Sequence, residues 1–243
     1  MKTLFDELKL LSTVNFRELY QKYIYIHCRK LLDEIFPGEI EDTITGVVAY
    51  CYIDSAEGIS FRPFMLAAMT EESLQVFTMP HIEDTIYVLR LRDGRAKMSE
   101  LHDAGHHMYL YAVDPEKYMF FNLSIVNFDT ESFQDIKEEI DRAYDAGENK
   151  EELRTEGYSG LDKYRHPWYP DDVQVLLYDK EKGGEKVWVR LEVATGENCY
   201  LGELLNEPYQ DYGCHTGMLI EFTEIGTGED ALLVFTGRTA VRK

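Results

Sequence analysis

Apolar residues recur at helical spacing near the start of the chain. They fall three and four residues apart, which places them on one helical face and predicts a helix over residues 15–36. Asn15, with Glu18 three residues later, is typical of an N-terminal cap, and Pro37-Gly38 ends the pattern. The residues on this face are Phe16, Leu19, Tyr20, Tyr23, Ile24, His27, Cys28, Leu31, Leu32 and Ile35.

The chain then changes to runs rich in β-branched and aromatic residues. Residues 45–54 and 59–68 predict a hairpin, and further strands are expected at 85–91, 107–113 and 119–128. Helical spacing returns after Ser132, where the apolar residues Phe133, Ile136, Ile140 and Tyr144 share one face. These elements predict a sheet covered by helices.

The last third of the chain has a different sequence pattern, with short predicted strands and few helical stretches. A polar, glycine-containing segment at 145–165 reads as a linker. Five short strands with tight turns follow, at 173–178, 187–193, 199–205, 218–223 and 231–235. We therefore expect an α+β protein, with a mixed α/β sandwich-like domain over 1–165 and a small five-stranded β-barrel-like domain over 166–243.

The charge balance is strongly acidic. The chain has 243 residues, of which 25 are Lys or Arg and 45 are Asp or Glu, giving a formal net charge of −20. Such a charge disfavours nucleic acid and anionic membranes as partners, because both need clustered cations. It favours a basic protein partner, since complementary charge accelerates association. The alternative is that the acidic surface only keeps the protein soluble.

The cysteines and the N-terminus bear on the compartment. Cys28, Cys51, Cys199 and Cys214 are scattered, without the dense spacing of a disulfide framework. The sequence shows neither a signal peptide pattern nor an apolar run of about 18 residues. We therefore expect a cytoplasmic protein.

Two histidine-containing segments are candidates for chemistry. His102, Asp103, His106 and His107 offer metal ligands, which would make a metal-dependent hydrolase. The alternative is a polar loop that enters a strand, which we favour because no complete ligand set can be placed. Cys214-His215 resembles a nucleophile and its base, but adjacent side chains rarely meet in the geometry that catalysis needs. No cofactor is predicted.

An aromatic group near the predicted domain junction is the main candidate for binding. Tyrosine and tryptophan are favoured at binding surfaces because they bring contact area at low entropic cost. The alternative is that these rings hold the two domains together. The predicted binding residues are Tyr164, His166, Trp168, Tyr169, Trp188 and Tyr209.

Several short motifs in the last third carry a resemblance. They are Pro170–Val175, Trp188-Val189-Arg190-Leu191, Gly202-Glu203-Leu204-Leu205-Asn206-Glu207-Pro208 and Gly213 to Phe222. This pattern resembles an uncharacterised bacterial domain-of-unknown-function family, although Met218 stands where that family has an acidic residue. The resemblance implies a small barrel-like domain in an accessory protein, in some cases linked to toxin immunity. It supplies no catalytic residue.

Three functions remain open from the sequence. The first, which we favour, is a non-enzymatic interaction protein, such as an immunity or antagonist protein for a basic partner. The second is a small-ligand or peptide-binding module that uses the aromatic surface. The third is the metal-dependent hydrolase of the His102–His107 segment.

Overall fold

A computed structural model describes residues 2–92, 99–103, 106–144 and 157–240 of the chain. The chain divides into two units, Met1–Ala146 and Gly147–Lys243. This division comes earlier than the boundary at 165/166 that the sequence predicts. Leu161 and Tyr164 pack into the buried core of the second unit, so the segment just before residue 166 folds with the barrel.

The first unit is built on a nine-stranded mixed sheet. The strands are β1 (Lys9–Leu10), β2 (Tyr23–His27), β3 (Gly46–Asp54), β4 (Gly58–Met69), β5 (Leu74–Thr78), β6 (Thr85–Leu91), β7 (Ser99–Asp103), β8 (His106–Val113) and β9 (Met119–Asn122). Their order in the sheet is β1-β9-β2-β3-β4-β6-β8-β7, with β5 also paired to β4. The pair of β6 and β8 is parallel, and the other registered pairs are antiparallel.

The helix predicted over 15–36 is wrong. The structure has α1 (Phe16–Leu19), then β2, then α2 (Arg29–Ile35). Strand β2 lies between β3 and β9 and is buried on both faces, so its apolar residues run continuously instead of alternating. Because every position from 23 to 26 is apolar or aromatic, this strand also matched the spacing of a helical face, and α1, β2 and α2 together gave the pattern of one helix. The predicted cap is confirmed, because the Asn15 side chain accepts a hydrogen bond from the Arg17 N–H at 2.9 Å.

The second predicted helix is confirmed as α3 (Gln134–Tyr144). Its Ile140 is buried against the core that contains Tyr50 and Phe64 of the sheet. The Tyr50 hydroxyl also donates to the Asp141 carboxylate at 2.9 Å, which fixes the helix on the sheet. Within the described residues, no helix is long and apolar enough to cross a membrane.

The second unit is a closed five-stranded barrel, as the sequence predicts. Consecutive strands pair antiparallel, and the barrel closes where Leu176 of the first strand pairs with Val234 of the last strand in parallel. Alternate residues such as Val187, Val189 and Leu191 fill the interior. The strands are β10 (Asp172–Asp179), β11 (Gly183–Gly196), β12 (Cys199–Leu204), β13 (Leu219–Ile225) and β14 (Leu232–Ala240).

Candidate binding sites

Three tyrosines share one face of the sheet in the first unit. Tyr87 on β6 lies directly opposite Tyr109 on the parallel strand β8, and Tyr111 follows two residues later. The rings of Tyr87 and Tyr109 stack with their centroids 6.1 Å apart and their planes at 21°. The parallel pairing therefore creates an aromatic surface from two separate strands.

This surface forms the floor of a cavity of about 440 Å³, which we call the tyrosine cleft. The end of α2 supplies one wall, where the rings of Phe36 and Tyr87 pack edge-to-face with their centroids 5.3 Å apart. The turn after α2 and the loop before β6 supply the polar wall. The lining residues are Ile35, Phe36, Glu39, His81, Asp84, Thr85, Tyr87, Tyr109 and Tyr111.

The electrostatics of the tyrosine cleft favour a cation. Burial raises the pKa of Tyr87 to about 12, and the neighbouring tyrosines and the carboxylates of Asp84 and Glu39 push in the same direction. Neither Lys nor Arg is among the residues that line the cleft in the described structure. The Thr85 hydroxyl donates to the Asp84 carboxylate at 3.0 Å, which orients it.

His81 connects the two parts of the polar wall. Its backbone is in the left-handed region, with φ 57°, which is uncommon for a residue other than glycine. Its Nε2 lies 3.4 Å from Glu39 Oε2. This contact joins the loop before β6 to the turn after α2, and both residues line the cleft.

Aromatic faces flanked by carboxylates suit an ammonium or guanidinium group. A cation over a tyrosine face is attracted by the ring quadrupole, by about 0.5–2 kcal/mol depending on desolvation. The sequence analysis missed this site. Tyr87, Tyr109 and Tyr111 lay in correctly predicted strands, but nothing in their spacing showed that those strands pair.

The predicted aromatic group lies entirely in the second unit, and four of its members form one cluster. The His166 ring is 5.8 Å from Trp168, 5.1 Å from Tyr169 and 5.0 Å from Trp188, each in an edge-to-face arrangement. The His166 Nδ1 accepts hydrogen bonds from the N–H groups of Trp168 and Tyr169. We call these four residues the His166 cluster.

The His166 cluster is anchored through Asp172, which binds the backbone of His166 and forms an ion pair with Arg190. The His166 N–H donates to the Asp172 carbonyl oxygen at 2.8 Å, and Arg190 Nε lies 2.9 Å from the Asp172 carboxylate. Burial raises the pKa of Asp172, whereas Arg190 and His166 act in the opposite direction. The half-buried rings of the cluster are therefore held next to polar groups, those of Asp172 and Arg190, that are paired with each other.

The other two predicted binding residues do not belong to this cluster. Tyr164 is only 8% exposed, and its hydroxyl donates to Glu224 Oε1 at 2.8 Å, so it serves the barrel core. Tyr209 is 96% exposed on the loop after β12, where its backbone N–H donates to the Glu185 carboxylate. No ring contact found among the described residues involves Tyr209.

The candidate metal segment forms the β7–β8 hairpin. His102 is registered opposite His107, and Asp103 opposite His106, which agrees with a strand rather than a helix. The side chains of these four residues lie outside the described part of the structure, so the metal hypothesis stays a prediction. Among the described side chains, no group of three His, Cys, Asp or Glu residues could hold a metal ion.

Cys214 and His215 have different environments. The Cys214 side chain is buried, and burial raises the pKa of its thiol. His215 is exposed, and its Nδ1 lies 2.7 Å from Glu207 Oε1, which raises the pKa of the imidazole. A catalytic thiol needs a lowered pKa and a base beside it. This pair therefore does not have the arrangement of a nucleophile and its base.

Comparisons of the chain with protein-family models, with curated proteins and with solved structures found no match.

Proposed function

We propose that this protein is a non-enzymatic interaction protein that binds a basic protein partner. The tyrosine cleft carries the proposal, because it combines stacked tyrosine faces with the carboxylates of Glu39 and Asp84. An arginine or lysine side chain of the partner enters the cleft and lies against the half-buried ring of Tyr109, beside the two carboxylates. The formal net charge of −20 supports fast, salt-sensitive association with such a partner.

A more specific form of the proposal follows the expectation, from the sequence motifs alone, that the last third resembles a bacterial accessory family. In that form the partner is a basic toxin or enzyme, and binding blocks its action. An antagonist needs no catalytic residues of its own. It needs a surface that recognises the partner and a charge that accelerates the encounter.

The first experiment tests the cleft with a defined probe. We expect acetyl-Gly-Arg-Gly-amide to shift the NMR signals of Tyr87 and Tyr109 saturably, and the same peptide with citrulline to have no such effect. Citrulline keeps the shape of arginine but lacks its charge. The double variant Glu39→Gln/Asp84→Asn should weaken binding by about tenfold, which corresponds to about 1.4 kcal/mol.

A matched control separates the cleft from the overall charge. Glu71→Gln/Glu72→Gln removes two exposed carboxylates from the turn between β4 and β5, away from the cleft lining, and so changes the net charge as much as the double variant does. It should leave binding unchanged. Equal binding of the arginine and citrulline peptides, or unaltered binding by the double variant, would overturn the proposal.

The second experiment looks for the partner itself. We expect a pull-down from native lysate to retain a basic protein at low salt and to lose it at high salt. The same protein should be lost at low salt when the double variant is the bait. Retention by the double variant would show that the cleft is not the recognition site.

A further inference from the structure

A second cavity, of about 410 Å³, lies in the barrel unit beside the His166 cluster. We call it the barrel trough. Leu176 faces Lys186 across β10 and β11, and Gln174 faces Trp188 in the same way. These four residues alternate with the buried core residues of both strands. Their side chains therefore point out of the barrel, and the trough lies on its outer surface.

The trough follows the seam where the barrel closes. Its far wall is formed by the segment that opens β14, including Leu232, which is 40% exposed. Strands β10 and β14 share one registered pair in the described structure, Leu176 with Val234. The β10–β14 pair thus has fewer registered residues than any of the antiparallel strand pairs of the barrel. The trough lies next to this pair.

The charged residues that line the trough are all cations, in contrast to the chain as a whole. They are Lys163, Arg165 and Lys186. The Arg165 side chain is 2% exposed, forms an ion pair with Asp162 and donates to the carbonyl oxygens of Pro170 and Tyr158, so it builds the wall and is not a ligand group.

In the described part of the chain, Lys163 and Lys186 differ in whether a carboxylate lies next to the ammonium group. Lys163 Nζ lies 3.0 Å from Glu224 Oε1 and donates to the Gly228 carbonyl oxygen. That carboxylate already balances part of its charge. Lys186 is exposed on β11 at the edge of the trough. Lys186 therefore contributes the larger share of attraction for an anionic ligand.

The apolar part of the lining sets a second requirement. Trp188 and Leu176 are half-buried and Leu232 is exposed, so the trough offers an apolar floor between its cations. An apolar side chain of a ligand would remove this floor from water, which favours binding in proportion to the apolar area buried. A purely anionic small ligand would leave it exposed.

We propose that the barrel trough binds an acidic peptide segment, with an apolar side chain on the floor formed by Trp188, Leu176 and Leu232 and a carboxylate at Lys186. Charge complementarity selects this occupant, because a basic segment would face like charges. This site is separate from the tyrosine cleft and takes a ligand of opposite charge. The two proposals can therefore fail independently.

The test uses the peptide acetyl-Glu-Leu-Glu-Glu-Leu-Glu-amide as the probe. The chain has 2 tryptophans, Trp168 and Trp188, so two indole N–H signals report in an NMR titration, and Trp168→Phe assigns them. We expect a saturable shift of the Trp188 signal. The same peptide with glutamine in place of glutamate should give at least about a tenfold weaker effect.

Charge reversal locates the site. Lys186→Glu should weaken binding by about tenfold or more, whereas Lys180→Glu, at the exposed β10–β11 turn, changes the net charge equally and should not. Matching thermal unfolding midpoints show that both variants are folded. Unchanged binding by Lys186→Glu, equal binding of the glutamine peptide, or no saturable shift of Trp188 would overturn the proposal.

Discussion

The side-chain oxygen of Asn206 accepts a hydrogen bond from the backbone N–H of Trp188 at 2.7 Å. The Leu205 N–H donates to the Trp188 carbonyl oxygen at 2.9 Å, so both backbone groups of this residue are satisfied by the segment after β12. Asn206 thus continues the pairing of β11 beyond the point where β12 ends. Asn206, which belongs to one of the motifs that carry the resemblance, therefore has a structural role in the barrel.

We expect Asn206→Ala to lower the free energy of unfolding by about 1–3 kcal/mol, because it leaves the Trp188 N–H without its acceptor. Chemical denaturation followed by tryptophan fluorescence measures the change. Asn206→Asp keeps an acceptor oxygen and should lose clearly less. Equal losses in the two variants would show that the hydrogen bond is not the cause.

Gly202 of the same motif is required by close packing. A Cβ atom at this position would lie 2.4 Å from the Arg190 carbonyl oxygen, which is backbone and cannot move aside. Gly202→Ala should therefore destabilise the protein by about 1–3 kcal/mol. Gly160→Ala is the control, because its Cβ would meet nothing within 4 Å and it should be nearly neutral. A neutral Gly202→Ala would contradict the close approach.

The exposed pair of Glu207 and His215 should titrate as a unit. Glu207 raises the pKa of His215, and His215 and the Thr216 N–H lower the pKa of Glu207. Because the histidine pKa is raised on folding, the contribution of His215 is complete below its ordinary pKa and is lost as pH rises through the folded value. Because the glutamate pKa is depressed, that of Glu207 is complete above its ordinary pKa and is lost as pH falls.

NMR titration of the His215 imidazole measures this coupling. We expect a midpoint above the ordinary histidine value of about 6.5. Glu207→Gln removes the largest cause of the shift and should return the midpoint to the ordinary value. A midpoint that does not move in this variant would show that the two side chains are not paired in solution.

Alkaline pH should weaken the first unit. Burial raises the pKa of Tyr87 to about 12, above the ordinary tyrosine value of about 10. The contribution of Tyr87 to stability is therefore complete below pH 10 and is lost as pH rises toward its folded pKa. We expect the free energy of unfolding in urea to fall over this range, and Tyr87→Phe to reduce the fall.

Tyr178→Phe serves as the control for this alkaline effect. Tyr178 is 62% exposed on β10 of the second unit, so it has no part in the core of the first unit, and Tyr178→Phe should retain the alkaline loss of the parent. An identical alkaline loss in the Tyr87→Phe variant and the parent would show that Tyr87 does not contribute. Other buried tyrosines, such as Tyr25 and Tyr111, also have raised pKa values and account for the remaining loss.

The barrel was predictable because its signals are local. Its short strands have alternating apolar residues, as at positions 187–193 within β11, and turn residues that are visible in the sequence separate them. The asparagine at 206 and the glycine at 202 were visible as a motif, but their roles depend on contacts with β11. Neither contact can be read from the spacing of residues.

The sequence by itself determined the α+β class, the barrel of five strands, helix α3 and most strands of the first unit, because period and turn chemistry are local properties. Only the tertiary structure decided that residues 23–27 form a strand, because burial on both faces of a central strand removes the alternation by which a strand is recognised in the sequence. It also decided which strands pair. The parallel pairing of β6 with β8 joins Tyr87 to Tyr109 across the chain, and no local pattern specifies such a long-range contact.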